Sequence, residues 1–304
     1  MRITLVALLL VCAPFLVAQH RVTVERAAMG TPWAMTVYAL DTAAARRAID
    51  SAYARVEQIE QSMSDYRADS EINRLARLPP RRFYPVSADL YRVLRFSRTL
   101  ARRSRGAFDP TVGPLTKVWR RAFRQQRFPG KETVRAARAR VQWQCLRLGR
   151  GDRVWLGRDS MQLDLGGVAK GYALDAAAAV LVEAGLPRFL IDGGGDLLLG
   201  DPPPQRAGWR IRVPAGPVDT SRVAVATSGS RFRYLEHDGQ RYSHLIDPRT
   251  GYGLTDPREV TVVAPTAMVA DALASAASVI GEGKKRRVAA LFRSARVYWF
   301  LPER

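Results

Sequence analysis

The sequence predicts an α+β fold, a single domain in which mixed sheets are flanked by helices. The chain has 304 residues, 47% hydrophobic and 25% charged, as is typical of a soluble globular protein with a sizeable core. Helical patterns dominate its first half, whereas short strand patterns are interspersed with helices in its second half. Because strands and helices do not alternate strictly, α+β is favoured over a doubly wound sheet.

The first half predicts a hairpin followed by helices. Residues 22–26 and 33–39 alternate as two strands around a turn at residues 29–32. Residues 42–63 carry apolar side chains on one helical face. The other helices predicted here begin at Ser70 or span residues 88–103, 115–124 and 131–141.

The second half mixes both kinds of element. Strands are predicted at residues 153–156, 160–163, 189–192, 209–213, 223–227, 259–263 and 296–300. Helices are predicted at residues 168–184, 267–280 and 285–294, and Gly185 and Gly281 terminate the first two. Three consecutive prolines in residues 201–204 predict a rigid turn between strands.

Residues 1–18 are predicted to be an export signal, so residues 19–304 would form the domain. Arg2 precedes an apolar run, residues 5–18, that is broken only by Pro14. The run is short for a membrane span, although an uncleaved signal that associates with the membrane is the alternative. Cys12 follows Val11, where a lipoprotein signal needs a small residue. We therefore expect an exported protein, in the periplasm or facing it at the inner membrane.

The composition argues against a nucleic-acid partner and against stabilisation by disulfides. The formal charge is +20, but the basic residues are scattered, and aromatic residues do not alternate with the runs at 102–105 and 284–287. A solvated basic surface is therefore favoured over nucleic-acid binding. After signal cleavage only Cys145 remains, so no internal disulfide can form.

Residues 164–175, DLGGVAKGYALD, are the richest candidate for ligand binding. A strand is expected to end at Asp164, two glycines follow, and a helix then begins. Free N–H groups at such a helix start favour an anion, and Lys170 adds a positive charge. The spacing fits neither a nucleoside-triphosphate loop nor a dinucleotide fingerprint, and a purely structural turn is the alternative.

Asp271 and Ser275 lie four residues apart, so they share one face of a predicted helix. Both offer oxygen atoms, which suit Mg²⁺. The surrounding helix is rich in alanine and predicted to be buried, and a buried carboxylate needs a partner. A helix-dipole role for the aspartate, without metal, is the alternative.

His244 lies where a predicted strand runs into a turn rich in Pro and Gly, at residues 242–251. Only three histidines occur, which argues against a zinc site built from histidines. His244 is therefore a candidate proton acceptor, with a structural histidine as the alternative. No serine-hydrolase elbow is present.

Taken together, these motifs resemble the FAD:protein FMN transferases of the ApbE type. Each motif alone is unspecific, but their order and spacing match over nearly the whole mature chain. They are residues 29–31, 64–66, 70–72, 106–111 with Trp119, 164–175, 227–229, 244–251 and 270–275.

The resemblance implies roles for residues at matching positions. The implied FAD contacts are Met29, Tyr66, Ala107, Phe108, Asp109, Asp164, Lys170 and Leu245. The implied magnesium ligands are the Gly167 carbonyl, Asp271 and Ser275; most family members have Thr at the last position. The implied catalytic residues are Lys170, near the diphosphate, and His244, as the base, with Asp247 as a weaker candidate.

The activity implied is transfer of FMN from FAD to a Thr or Ser hydroxyl of an acceptor protein, with AMP as the leaving group. Such a reaction depends mainly on positioning and charge neutralisation. The acceptor would be an exported or membrane-bound redox subunit. Two alternatives are a pyrophosphatase that splits FAD into FMN and AMP, and a flavin carrier without enzymatic activity.

Overall fold

The computed structural model describes residues 19–213, 215–229 and 234–301. The signal predicted at residues 1–18 lies outside the described residues. Within them, no helix is both long and apolar enough to cross a membrane. The elements form one α+β unit around a single large sheet, as the sequence predicts.

The central sheet has seven strands, and every neighbouring pair in it is antiparallel. In order across the sheet they are β1 (His20–Ala28), β2 (Thr31–Ala39), β6 (Phe189–Gly193), β7 (Asp196–Leu199), β10 (Val223–Ser228), β13 (Glu259–Ala264) and β14 (Arg296–Phe300). The smaller sheets are β3 (Phe83–Pro85) with β5 (Arg153–Leu156) and β4 (Leu146–Gly149), β8 (Trp209–Val213) with β9 (Gly216–Thr220), and β11 (Tyr234–His237) with β12 (Gln240–Ser243).

Helices complete the unit. They are α1 (Thr42–Met63), α2 (Glu71–Arg77), α3 (Ala88–Ser104), α4 (Gly113–Gln125), α5 (Lys131–Arg138), α6 (Ala169–Glu183), α7 (Ala267–Ile280) and α8 (Lys285–Ala289). Helix α6 packs against both α1 and α7, and all three helices contact the central sheet. Alanine-rich faces on α6 and α7 allow this close packing, and most of their residues are buried.

The β1–β2 hairpin confirms the predicted turn. Met29 and Gly30 both have positive φ, 50° and 74°, as a two-residue turn between right-twisted strands requires. The Met29 N–H donates to Glu60 Oε2 at 2.9 Å, which ties the turn to α1.

Helices α6 and α7 cap each other with carboxylates. Asp175 on α6 accepts hydrogen bonds from the N–H groups of Ala267 and Met268, at 2.8 and 2.9 Å, at the start of α7. In return, Asp271 Oδ2 on α7 accepts the N–H of Gly171 in the first turn of α6, at 2.9 Å. Each bond satisfies a donor that a helix start leaves unpaired. The anion at the start of α6 is therefore, in part, a carboxylate of the protein itself.

Several sequence predictions are corrected. Residues 160–163 form no strand: Ser160 has a φ of 58°, and the Asp164 N–H donates to Pro110 O at 2.9 Å. A strand therefore does not end at Asp164. The helices expected at 131–141 and 285–294 end earlier, at Arg138 and Ala289, because residues beyond them form turns.

The strands that the sequence did not predict are β3, β4, β7, β9 and β11, which have three to five residues each. Runs this short carry little alternation. The three glycines after Asp192 include a hairpin turn, since Gly194 and Gly195 have φ values of 67° and 93° and β7 begins at Asp196.

Replacing Gly171 with alanine is expected to destabilise the fold. A Cβ at this position would overlap the carbonyl oxygen of Ala267 and lie 2.9 Å from the Cβ of Asp271. Helix propensity alone favours alanine by about 1 kcal/mol, but overpacking costs about 1–3 kcal/mol. Urea unfolding should therefore show a net loss. Gly283→Ala, where no atom lies within 4 Å, is the matched control; equal stability of the two variants would contradict the close approach of α6 and α7.

Candidate functional site

A cavity of about 900 Å³ lies beside α4 and α7. That volume lies towards the upper end of the range for small-molecule and cofactor sites. Its walls come from the α3–α4 connection, α4, the turn before α6, the loop after β12 and one side of α7. The predicted site residues that line it are Tyr66, Ala107, Phe108, Asp109, Asp164, Gly167, His244, Leu245 and Ser275.

Three other predicted site residues do not line this cavity: Met29, Lys170 and Asp271. Met29 lies at the β1–β2 turn and packs partly buried against the core. Asp271 accepts the Gly171 N–H, and Lys170, which precedes Gly171, acts electrostatically on Asp271. Gly167 and Ser275, on the same two segments of the chain, do line the cavity.

Asp109 shapes one wall through bonds within the protein. Its Oδ1 accepts the N–H and the hydroxyl of Thr111, at 2.8 and 2.7 Å, and its Oδ2 accepts the Trp143 N–H at 3.2 Å. Burial raises the pKa of Asp109, and these hydrogen bonds act in the opposite direction. The carboxylate therefore fixes the loop that carries Ala107 and Phe108.

The turn before α6 lies close to α7. Asp164 Oδ1 accepts the Gly166 N–H at 2.8 Å, which folds the chain back at the two glycines. A Cβ at Gly167 would lie 2.8 Å from Ser275 Oγ and 3.5 Å from the Phe108 ring. Glycine at this position therefore permits the approach between the turn and α7.

Asp271 is buried beside a lysine. Burial raises its pKa, and the Lys170 ammonium and the Gly171 N–H oppose that rise. Burial also lowers the pKa of Lys170, whereas the nearby carboxylates of Asp271 and Asp192 raise it. Lys170 Nζ also bonds to Asp196, and Asp196 Oδ1 accepts the Thr227 N–H at 3.3 Å. The lysine thus links the start of α6 to the β6–β7 hairpin.

His244 and Leu245 follow β12 and are not part of it, because β12 ends at Ser243. The Ser243 hydroxyl accepts the Leu245 N–H at 3.0 Å, and Leu245 O accepts the Leu254 N–H at 2.8 Å. These bonds hold both residues at the cavity wall. The strand predicted through His244 is therefore a bend anchored on both sides.

Asp247, the weaker candidate base, is engaged by an arginine. Arg249 donates through Nε and Nη2 to the two carboxylate oxygens, at 2.8 Å each, and Nη2 also reaches Val279 O at 3.2 Å. Such a bidentate pair holds the carboxylate in place. Asp247 therefore fixes the loop, whereas His244 lies on the cavity wall.

Arg120 is a site residue that the sequence analysis missed. It lines the cavity, donates to Asp65 and, at 3.4 Å, to Asp164 Oδ2. Its guanidinium lies 3.9 Å from the ring centre of Tyr66, within the range of a cation–π contact. Burial and the neighbouring Asp164 raise the pKa of Asp65, whereas Arg120 lowers it. Nothing in the sequence around Arg120 distinguishes it from the arginines beside it.

The sequence analysis also missed an aromatic cluster, of which it named only Trp119. The Trp119 Nε1–H donates to Gly251 O at 2.8 Å, and Tyr242 stacks on Trp119 with ring centres 6.1 Å apart. Phe128 packs edge-on against both rings, at 5.5 and 4.8 Å. This cluster attaches the β11–β12 hairpin, and with it the His244 loop, to α4.

Residues 29–299 match the model of the ApbE family. A FAD:protein FMN transferase of Klebsiella pneumoniae (strain 342) is 32% identical over 275 residues, covering 86% of this chain and 79% of the relative. A protein of the same name from Escherichia coli (strain K12) is 30% identical over 279 residues, with coverages of 87% and 80%.

Solved structures agree with these sequence matches. The apo form of Pseudomonas stutzeri flavinyl transferase ApbE has a TM-score of 0.83 at 28% identity, covering 95% of this chain and 93% of its own. The flavin transferase ApbE from Vibrio cholerae has a TM-score of 0.81 at 28% identity, with coverages of 93% and 94%.

Replacing Arg120 with glutamine is expected to leave Asp65 and Asp164 side by side without their shared cation. Removing one partner of a partly buried ion pair should cost about 1–3 kcal/mol near pH 7. The pKa of Asp65 is already raised, so the folded state loses stability as pH rises between the unfolded and folded pKa values. Without Arg120 that pKa rises further, and the deficit should shrink as the pH falls towards 5.

Urea unfolding of wild type and Arg120→Gln across that pH range measures this effect. Arg121→Gln is the matched control, because Arg121 is the exposed neighbour on the same helix and forms no salt bridge within the described residues. A deficit that does not depend on pH would contradict the role given to the two carboxylates.

Proposed function

The chain belongs to the ApbE family, and we propose that it transfers the FMN part of FAD to a Thr or Ser hydroxyl of an acceptor protein, with Mg²⁺ bound and AMP released. Flavin transfer with FAD as substrate follows from the family and from the relatives. The magnesium ion, the release of AMP and the kind of acceptor belong to the proposal. The observation that carries it is the meeting of Ser275 with the turn at Gly167 beside a large cavity, with Asp271 one turn away on α7 at the Gly171 N–H.

The residues at this meeting point fit a hard divalent cation. They offer one carboxylate, one hydroxyl and the backbone oxygens of the turn at Gly167, and oxygen ligands are those that Mg²⁺ prefers. The Gly171 N–H donates a hydrogen bond to Oδ2 of Asp271, and within the described residues no hydrogen bond to Oδ1 is formed. The described residues contain no cluster of three or more His, Cys, Asp or Glu side chains, so a cation here would rely on one carboxylate and neutral oxygens.

A magnesium ion bound there would neutralise charge on the diphosphate oxygens of FAD. The protein's own residues would bind and orient the substrate. The exposed ring of Tyr66 and the Phe108 ring offer faces on which flat heterocycles can stack. His244 lies on the cavity wall, where it would accept the proton of the incoming hydroxyl.

Lys170 is proposed as a positioning residue. It does not line the cavity, but its ammonium opposes the rise in the pKa of Asp271 that burial causes. It therefore helps to keep Asp271 ionised, as a metal ligand must be. This role replaces the direct contact with FAD that the resemblance implies.

Export is a further part of the proposal, supported by the apolar run in residues 5–18 with Arg2 before it. The enzyme would then act in the periplasm or at the periplasmic side of the inner membrane. An exported or membrane-bound redox subunit is the acceptor that such a location favours.

Incubating the protein with FAD and Mg²⁺, with and without co-expressed exported proteins, tests the activity. We expect AMP release together with the mass of one FMN added to a Thr or Ser of an acceptor. Free FMN with AMP in the absence of any acceptor would instead indicate the pyrophosphatase, and binding without AMP release the carrier. Mass spectrometry of the proteins and chromatography of the nucleotides separate these outcomes.

In that assay Asp271→Asn is expected to lose activity while keeping the fold. Asparagine can still accept the Gly171 N–H, but it removes the charge that a cation needs. We expect a loss of about 100-fold or more in rate. Removing the buried charge relieves its burial penalty, but Lys170 loses one of its neighbouring carboxylates and keeps Asp196, so the two effects oppose each other and the melting temperature should change little.

An Asp271→Asn variant that transfers FMN at the normal rate in Mg²⁺ would disprove the metal assignment. His244→Ala tests the base separately: an unchanged rate would remove only that assignment and leave the cation site intact.

A further inference from the structure

We infer that an exposed cationic surface next to the cavity docks an acidic segment of the acceptor protein; the inference rests on the function proposed above. We call this surface the α3–α8 patch. Its members, contributed by the end of α3 and the start of α8, are Arg102, Arg103, Arg105, Lys284, Lys285 and Arg286, all of them exposed.

The fold creates this patch from two distant basic runs. Arg287 Nη2 donates to Ser104 O at 2.6 Å, and Arg103 Nη2 donates to Ala290 O at 2.9 Å. The Arg103 guanidinium also lies over the Phe292 ring, 5.3 Å from its centre, and the Phe96 ring stacks on Phe292 with ring centres 5.7 Å apart. Two runs that look brief in the sequence therefore become one surface.

The patch lacks acidic partners of its own. Within the described residues none of its six members forms a salt bridge, although exposed arginines elsewhere, such as Arg135 and Arg241, do. Glu282, the nearest acidic residue along the chain, is paired with Arg258. Six neighbouring positive charges repel one another, and carboxylates of a partner would relieve this repulsion.

The patch also lies close to the cavity wall. Ser104, whose carbonyl binds Arg287, accepts the Phe108 N–H through its hydroxyl at 3.1 Å, and Phe108 lines the cavity. On the other side, Val279 lines the cavity, and the chain reaches Lys284 directly after α7 ends at Ile280. A partner seated on the patch would thus be near the site that its hydroxyl must enter.

This position favours an acidic protein segment over a lipid surface. Transfer requires a protein to reach the cavity, and charges near a binding site raise the rate of productive encounter with an oppositely charged partner. Anionic lipid would be attracted by the same charges, so it is treated below as an outcome of the test.

The test compares wild type with the triple variant Arg102→Gln, Lys285→Gln, Arg286→Gln. The control removes the same charge from exposed residues elsewhere: Arg46→Gln, Arg47→Gln, Arg212→Gln. A fluorescent peptide of alternating glutamate and glycine serves as the first probe, and its glutamine counterpart as the neutral reference. We expect the patch variant to bind the acidic peptide about tenfold more weakly, with a flatter dependence on salt, and the control to bind like wild type.

The second measurement uses the acceptor identified by its added FMN. For the patch variant we expect the KM for that acceptor to rise about tenfold, with kcat and the KM for FAD unchanged. Equal losses in both triple variants, or no change in either, would overturn the inference. So would binding to phosphatidylglycerol vesicles that depends on the patch when peptide binding does not.

The two proposals fail in different ways. If wild type labels no acceptor and releases no AMP, the proposed function fails, while the peptide measurement still decides whether the patch binds acidic segments. If wild type labels an acceptor and the patch variant does so with the same KM, only the docking surface is wrong.

Discussion

The contact between α6 and α7 near their N-termini is the constraint on which the rest of the structure depends. Gly171 has no side chain, so α7 can approach until Asp271 caps the first turn of α6. One turn further along α7, Ser275 reaches the glycine turn at Gly167. A single close helix contact thus positions both side chains of the proposed cation site, and the reciprocal bonds from Asp175 hold the pair in register.

This arrangement buries two charged groups at the site, which is electrostatically unfavourable. Asp271 and Lys170 are both buried, and burial opposes the charged form of each. Each charge lessens the penalty on the other. A cation beside Asp271 would lessen it further, which gives the buried carboxylate a physical reason to be there. Functional sites commonly retain such groups at a cost in stability.

Elsewhere around the cavity, the loops are fixed by hydrogen bonds and ion pairs of buried side chains. Asp109, Asp247 and Trp119 use their polar atoms on backbone groups or on a neighbouring arginine, so they fix loops and leave substrate contacts to the residues beside them. Arg120 acts similarly on the Tyr66 side, where it joins two carboxylates and an aromatic ring. A site assembled from loops reaches the rigidity that positioning chemistry needs only through such anchors.

Local patterns in the sequence were sufficient for the hairpin at Met29-Gly30, for α1, and for the Asp271–Ser275 pair on one helix face. These features depend on residues that are neighbours along the chain, so periodicity and turn chemistry specify them. The joint order of motifs also identified the cavity residues Tyr66, Phe108 and His244.

Only the tertiary structure decided which distant groups meet. Three hydrogen bonds join residues that are far apart in the sequence. Arg120 and Asp65 are separated by 55 positions, Gly171 and Asp271 by 100, and Arg287 and Ser104 by 183. Among 48 lysines and arginines, nothing local marks the one that will pair with a buried carboxylate or the few that will converge on a patch. The packing of helices on the sheet makes that selection, because it alone fixes which side chains share a low-dielectric space and which remain in water.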